Sequence, residues 1–200
     1  MLNLISDAMK NRLLIYMCLA LIFIALSYGA YALYFGDKRE ISTNTIIPLK
    51  TISKAPVFSL IDVNGTAGGL EAYHGDVIAL HFMAVGCGGQ YTTLNDNQLQ
   101  QLKLVCDSKC REGDFHIITI VVSSCESSDL NQIKGYYNVT WLFGNDYDDE
   151  RLEIIERFKN YNLEDGQILL INPSFEVTHI SQGKVTAGDL FTVLNHLQEG

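Results

Sequence analysis

The chain has 200 residues, 48% of them hydrophobic and 18% charged, with 14 basic against 23 acidic side chains and a formal net charge of −9. Its mean hydropathy is +0.11. Such a composition excludes an intrinsically disordered chain, which combines low hydrophobicity with high charge. It also excludes nucleic-acid binding by phosphate neutralisation, which needs a basic patch. Three prolines and 16 glycines exclude collagen-like or proline-rich low complexity, and no internal repeat occurs.

The excess apolarity lies first in chain order. Leu13 to Phe35 is a run of 23 residues without a charge. At about 1.5 Å per residue it crosses a hydrocarbon core of roughly 30 Å. Tyr16, Tyr28, Tyr31 and Tyr34 fall partly near its ends, where aromatic rings favour the membrane interface. A cleaved signal peptide would have an apolar region of about 7–15 residues before a small-x-small site. This run is longer, and the small residues in Ser27–Ala32 make no clear cleavage site. The reading is a short cytoplasmic tail over residues 1–12 and a retained transmembrane anchor over 13–35. Lys10 and Arg12 precede the anchor and Lys38 and Arg39 follow it, so basic residues alone do not orient it. The short tail favours an inside N-terminus, with the C-terminal domain extracytoplasmic.

Residues 36–54 include a stretch rich in Ser, Thr and Asn without helical period and read as a linker, so that the domain begins at Ala55-Pro56 and runs to residue 200. Residues 41–200 carry ten basic and 20 acidic side chains, a balance that does not favour anionic lipid. A domain of this size buries close to 70% of its unfolded surface, enough for a core without staples.

Within it, Val57–Asp62 alternates as a strand and Asn64-Gly65 supplies a turn. Asp76–Ala84 and Phe115–Val122 are continuous apolar strands of the kind buried on both faces. Between them Gly86 to Gly89 breaks the chain, and Leu94–Val105 shows a helix face at 94, 99, 102 and 105. Ser127–Tyr137 and Asp149–Asn160 read as helices, Val139–Phe143 as a short extended piece. Gln167–Asn172 and Glu176–Ile180 form a hairpin across Asn172-Pro173-Ser174, and Ala187–Leu197 closes the chain as a helix. Strands alternating with helices predict an α/β sandwich with the final antiparallel pair at the sheet edge.

Ala55-Pro56-Val57-Phe58-Ser59-Leu60-Ile61-Asp62, with Asn64-Gly65, has the form A-P-x-F-x-L-x-D-x-x-G. Leu70, Gly75 and a strand leading to Phe82-Met83-Ala84-Val85-Gly86-Cys87 follow. Tyr136-Tyr137-Asn138-Val139-Thr140-Trp141 and Leu169-Leu170-Ile171-Asn172 come later. In this order the pieces resemble the thioredoxin-fold superfamily, specifically membrane-anchored thiol–disulfide oxidoreductases of the TlpA/ResA type and their redoxin relatives, over residues 55 to about 197. The resemblance implies a three-layer thioredoxin-like sandwich with a mixed central sheet. It also implies exchange with extracytoplasmic protein thiols or disulfides, and no cofactor.

Two departures stand out. The family's C-x-x-C is Cys87-Gly88-Gly89-Gln90 here, without the resolving cysteine. The family's cis-proline aligns with Gln167 or Gly166. Cys87 nonetheless falls where a strand ends and a helix begins, a place that favours a thiolate. Gly88, Gly89, Gln90 and Gln167 are expected to form the loops a substrate approaches. Cys125 follows the strand that neighbours the Cys87 strand in this fold. It is thus the candidate resolving cysteine, the alternatives for the two being a structural bond or unpaired thiols. Cys106 and Cys110, four apart at a helix end, would have Cα atoms near 6 Å, within disulfide range. They are expected to form a structural disulfide without a catalytic part. Cys18 lies in the anchor.

Three other readings are weighed. The first is a redox-inactive thioredoxin-like binding module. The second is a Sco-like copper handler, whose C-x-x-x-C spacing occurs only at Cys106 and Cys110, after the helix instead of before it. The third is a thiol peroxidase, whose Thr or Ser three residues before the cysteine is Ala84 here. His74, His81, His116, His179 and His196 are scattered without metal-ligand spacing, and His81 reads as a hydrogen-bonded core residue. Asp146, Asp148, Asp149 and Glu150 read as a solvated loop, and Asn64-Gly65-Thr66 and Asn138-Val139-Thr140 match glycosylation sequons.

Overall fold

The computed structural model describes residues 45–86, 93–148, 151–183 and 185–198. The anchor over 13–35, the tail before it and residues 87–92 therefore lie outside the described residues. Among the described residues no helix is long and apolar enough to cross a membrane.

Among the described residues ten strands and four α-helices follow one another. In chain order they are β1 (Thr45–Lys54), β2 (Ser59–Ile61), β3 (Ala67–Gly69), β4 (Val77–Met83), α1 (Thr93–Lys109), β5 (Phe115–Val121) and α2 (Ser127–Tyr136). Then come β6 (Leu142–Asn145), β7 (Tyr147–Asp148), β8 (Arg151–Leu152), α3 (Glu153–Arg157), β9 (Ile168–Ile171), β10 (Glu176–Gln182) and α4 (Ala187–Gln198). Six strands build the central sheet in the order β1-β10-β9-β4-β5-β6. The β4–β5 and β5–β6 pairs are parallel, while β9 runs antiparallel to β4 and to β10. The sheet is thus mixed, as expected.

The apolar runs of β4 and β5 bury both of their faces because the pleat sends alternate side chains to opposite sides. Val77, Ala79 and Met83 join Ile117 and Val121 against Leu99, Leu102 and Val105 of α1, Leu130 and Ile133 of α2, and Leu190 and Leu194 of α4. Ile78, Leu80, Phe82, Ile118 and Ile120 pack on the other face with Phe58, Leu60, Ile154 and Phe158. Two apolar cores on either side of one sheet make the three-layer arrangement.

Four differences from the sequence reading have physical causes. Residues 45–54 are not linker: they form β1, which pairs antiparallel with β10. Pro48 argues against a central strand but is tolerated at an edge, where its missing N–H costs no ladder bond. The β9–β10 pair is accordingly not at the edge, because β1 covers β10. Helix 149–160 shrinks to α3, since Asp146 accepts the Ile154 and Ile155 N–H groups at 2.7 and 2.8 Å and fixes the helix start there. The strand over Val57–Asp62 is reduced to β2, which pairs with β3 and is followed by an isolated antiparallel bridge from Asp62 to Gly144 of β6.

Asp62 explains its place in the A-P-x-F-x-L-x-D-x-x-G segment. Its carboxylate accepts the Lys134 ammonium at 2.6 Å and the backbone N–H groups of Phe143 at 3.0 Å and Asn64 at 2.9 Å. Burial alone would raise its pKa, but these donors hold it below the ordinary value. Beside it Gly144 admits the backbone of Ile61: a Cβ there would stand 2.3 Å from the Ile61 carbonyl oxygen.

Candidate functional site

Parallel strands end at one edge, and the chain leaving β4 and the chain leaving β5 emerge there side by side. The Val122 N–H donates to the Met83 carbonyl at 2.9 Å, carrying the ladder past both strand ends. The next two amides of the β4 exit are held by side chains: Ala84 N–H donates to Asp165 Oδ1 at 2.7 Å, and Val85 N–H to Ser123 Oγ at 2.9 Å. The Val85 carbonyl accepts the Cys125 thiol at 3.6 Å, within reach for a sulfur donor. Ser123 Oγ lies 4.0 Å from the same sulfur. Asn145, at the end of β6, donates through Nδ2 to the Cys125 carbonyl at 3.2 Å. Three strand ends thus converge on the segment that leads to Cys87.

A third loop braces this edge. Gly166 N–H donates to the Phe82 carbonyl at 2.8 Å, and Phe82 N–H to the Gln167 carbonyl at 2.9 Å. Gly166 has φ +78°, a left-handed conformation that glycine adopts without strain. Among the described residues no peptide bond is cis, so the chain is trans at both Gly166 and Gln167. Gln167 is buried, and its Oε1 accepts the Glu164 N–H at 2.9 Å. Its side-chain oxygen is thus turned back on its own loop.

Cys125 is half-buried and lines a cleft of about 580 Å³ together with Ile61, Glu126, Ser127, Asp146 and Glu153. Cys87, Gly88, Gly89 and Gln90 lie outside the described residues, and α1 begins at Thr93. Cys106 and Cys110 are bonded to each other across the last turn of α1, with Cα atoms 4.7 Å apart. Among the described residues no group of three or more His, Cys, Asp or Glu side chains is placed to hold a metal.

Beneath the site, His81 is fully buried and carries its ring on the α1 face. Trp141 Nε1–H donates to Thr119 Oγ1 at 2.9 Å. The same hydroxyl lies 3.4 Å from His81 Nδ1, a contact that either group can donate depending on the imidazole tautomer. Burial lowers the His81 pKa from 6.5 to about 3, so the ring is neutral at physiological pH. Among the described residues its Nε2 has no hydrogen-bond partner.

Ser123, Asn145 and Asp165 were not singled out by the sequence. Ser123 had a signal in Ser123-Ser124-Cys125 directly after a buried strand; Asp165 and Asn145 act across more than 20 residues of chain or from another strand, and no local pattern marks them.

No family model matches the chain, and neither does any curated protein. Solved structures do. A secreted thiol–disulfide isomerase from Corynebacterium glutamicum superposes with a TM-score of 0.63 at 11% identity, covering 82% of this chain and 96% of that one. A thiol:disulfide interchange protein from Bacteroides sp. gives 0.59 at 18% identity over 76% and 92%. The thioredoxin domain of a thiol–disulfide oxidoreductase from Bacteroides vulgatus gives 0.57 at 18% identity over 74% and 97%. At these identities the likeness is one of architecture, and the chain has the thioredoxin fold.

Proposed function

We propose that the protein is a membrane-anchored, extracytoplasmic thiol–disulfide exchange enzyme in which Cys87 attacks and Cys125 resolves. The observation that carries this reading is the Cys125 thiol on the Val85 carbonyl at 3.6 Å. Cys87 follows Val85 by two residues, and two residues of chain span at most about 7 Å. Cys125 is therefore the described cysteine nearest in reach, whereas Cys106 and Cys110 are already bonded at the far end of α1. The solved structures that share the architecture are named for thiol–disulfide chemistry, which supports the same reading.

In the proposed cycle the Cys87 thiolate attacks one sulfur of a partner disulfide. The partner's other sulfur leaves as a thiolate, and a mixed disulfide forms. The Cys125 thiolate then attacks Cys87 Sγ, the mixed disulfide breaks, and the partner leaves with both sulfurs reduced. The enzyme ends with a Cys87–Cys125 disulfide, and the reverse sequence oxidises a partner dithiol. Peptide mapping after alkylation tests the couple: the oxidised protein should yield a linked Cys87–Cys125 peptide, and both cysteines should be alkylated only in the reduced protein. Equal labelling of both cysteines in the two states would overturn it.

A further inference from the structure

A second cleft, of about 940 Å³, opens at the opposite edge of the sheet. It is lined by the start of β5 and the end of α1, including both sulfur residues of the Cys106–Cys110 disulfide. The seven residues of β5 separate this edge from the Cys125 edge, roughly 20 Å at about 3.3 Å per residue. Cys106 is buried and Cys110 half-buried, so Cys110 offers the more accessible sulfur. The bond spans one helical turn whose backbone ladder is intact, since Cys110 N–H still donates to the Cys106 carbonyl at 3.1 Å. Breaking the bond therefore requires no unwinding of α1.

The charges around the cleft point to the class of reductant. Lys103 is paired with Asp107, and His116 Nε2 meets Asp76 Oδ2 at 2.9 Å. Arg111 is exposed, lines the cleft and has no ion pair among the described residues. It is the lining cation that no carboxylate pairs with among the described residues, on a protein of net charge −9. We infer that the cleft beside Cys106–Cys110 is a second exchange site, one that admits an anionic, carboxylate-bearing low-molecular-weight thiol. The thiolate of that molecule attacks Cys110 Sγ. The Cys106–Cys110 bond breaks, and its electron pair leaves on Cys106 Sγ, which takes a proton from solvent. A second thiol molecule then attacks the sulfur of the first, releasing Cys110 as a thiol and the small molecule as its own disulfide. The disulfide expected from sequence to be purely structural is thus a reducible centre, while Arg111 steers the reductant.

The test uses the full chain with Cys87→Ser and Cys125→Ser, so its outcome does not depend on the exchange proposed at the other edge. Reduction by glutathione (anionic), 2-mercaptoethanol (neutral) and cysteamine (cationic) is followed at low ionic strength. Quenched alkylation and peptide mass spectrometry report on Cys106 and Cys110, with rates normalised to thiolate concentration. The expected result is glutathione faster than cysteamine by about tenfold, a preference reduced about threefold in Arg111→Ala and by added salt. The wild-type chain, mapped at the same two peptides, should show the same order. Equal normalised rates for the three thiols, a preference unchanged by Arg111→Ala, or a bond that resists all three until the protein is unfolded in urea would each overturn the proposal.

Discussion

Replacing His81 with Gln should remove part of the protein's acid sensitivity, and the size of the effect follows from burial. In the unfolded chain His81 takes a proton near its ordinary pKa of 6.5; in the fold it does so only at about 3. Between those values the unfolded state binds more protons, so stability falls as the pH is lowered through this window. At about 1.4 kcal/mol for each tenfold change in proton affinity, the whole window is worth about 5 kcal/mol, comparable with the full stability of many domains. Gln offers both an oxygen and an amide N–H to the Thr119 hydroxyl, which His81 Nδ1 now faces at 3.4 Å, and it does not titrate. His179 is also lowered by burial, but it is present in both proteins and cancels in the comparison. Urea unfolding at pH 7.5, 6, 5 and 4 can be followed by fluorescence of the single tryptophan, Trp141, which is buried in the fold. Wild-type stability should fall more steeply than that of His81→Gln, by up to about 1.4 kcal/mol per pH unit near pH 5. Parallel pH profiles for the two proteins would refute the buried neutral histidine.

Asp62→Ala removes the acceptor for Lys134 and for the Phe143 N–H and should cost about 3–5 kcal/mol by chemical denaturation, because it leaves a largely buried ammonium unpaired. The contribution of Asp62 is present above pH 4 and lost below, as its lowered pKa is approached from the ordinary value. Cys106→Ser with Cys110→Ser should cost about 2 kcal/mol, as the bond closes a very short loop, and should leave exchange through Cys87 intact in a turnover assay. For the proposed anchor, protease added to intact cells should digest the domain after residue 41, and protection of that domain would reverse the orientation.

The central sheet was largely legible because β4 and β5 are uninterrupted apolar runs, which only a strand buried on both faces demands. β1 was missed for the opposite reason. Its Pro48, Lys50 and Lys54 are the marks of an edge strand, and the same residues in isolation resemble a linker. The start of α3 was misplaced because Asp146, the first residue of an acidic stretch read as solvent-facing, turns inward to accept two amides. At the site, the convergence of Cys125 with the Cys87 strand followed from topology alone, since neighbouring parallel strands end together. The hydrogen bonds donated by Val85 and Ala84 to Ser123 and Asp165, which hold the β4 exit, were not legible, because they join residues 38 and 81 positions apart. The Gln167 side-chain oxygen accepts the Glu164 N–H, a bond within its own loop that no sequence pattern announced.

The most direct measurement of the exchange mechanism is trapping. In the full-length protein, Cys125→Ser should accumulate mixed disulfides with partner proteins through Cys87, seen as reductant-sensitive adducts on non-reducing gels and identified by linked peptides containing Cys87. Cys87→Ser should accumulate none. No adducts from Cys125→Ser, together with a Cys87 that resists alkylation in the folded protein, would contradict the account.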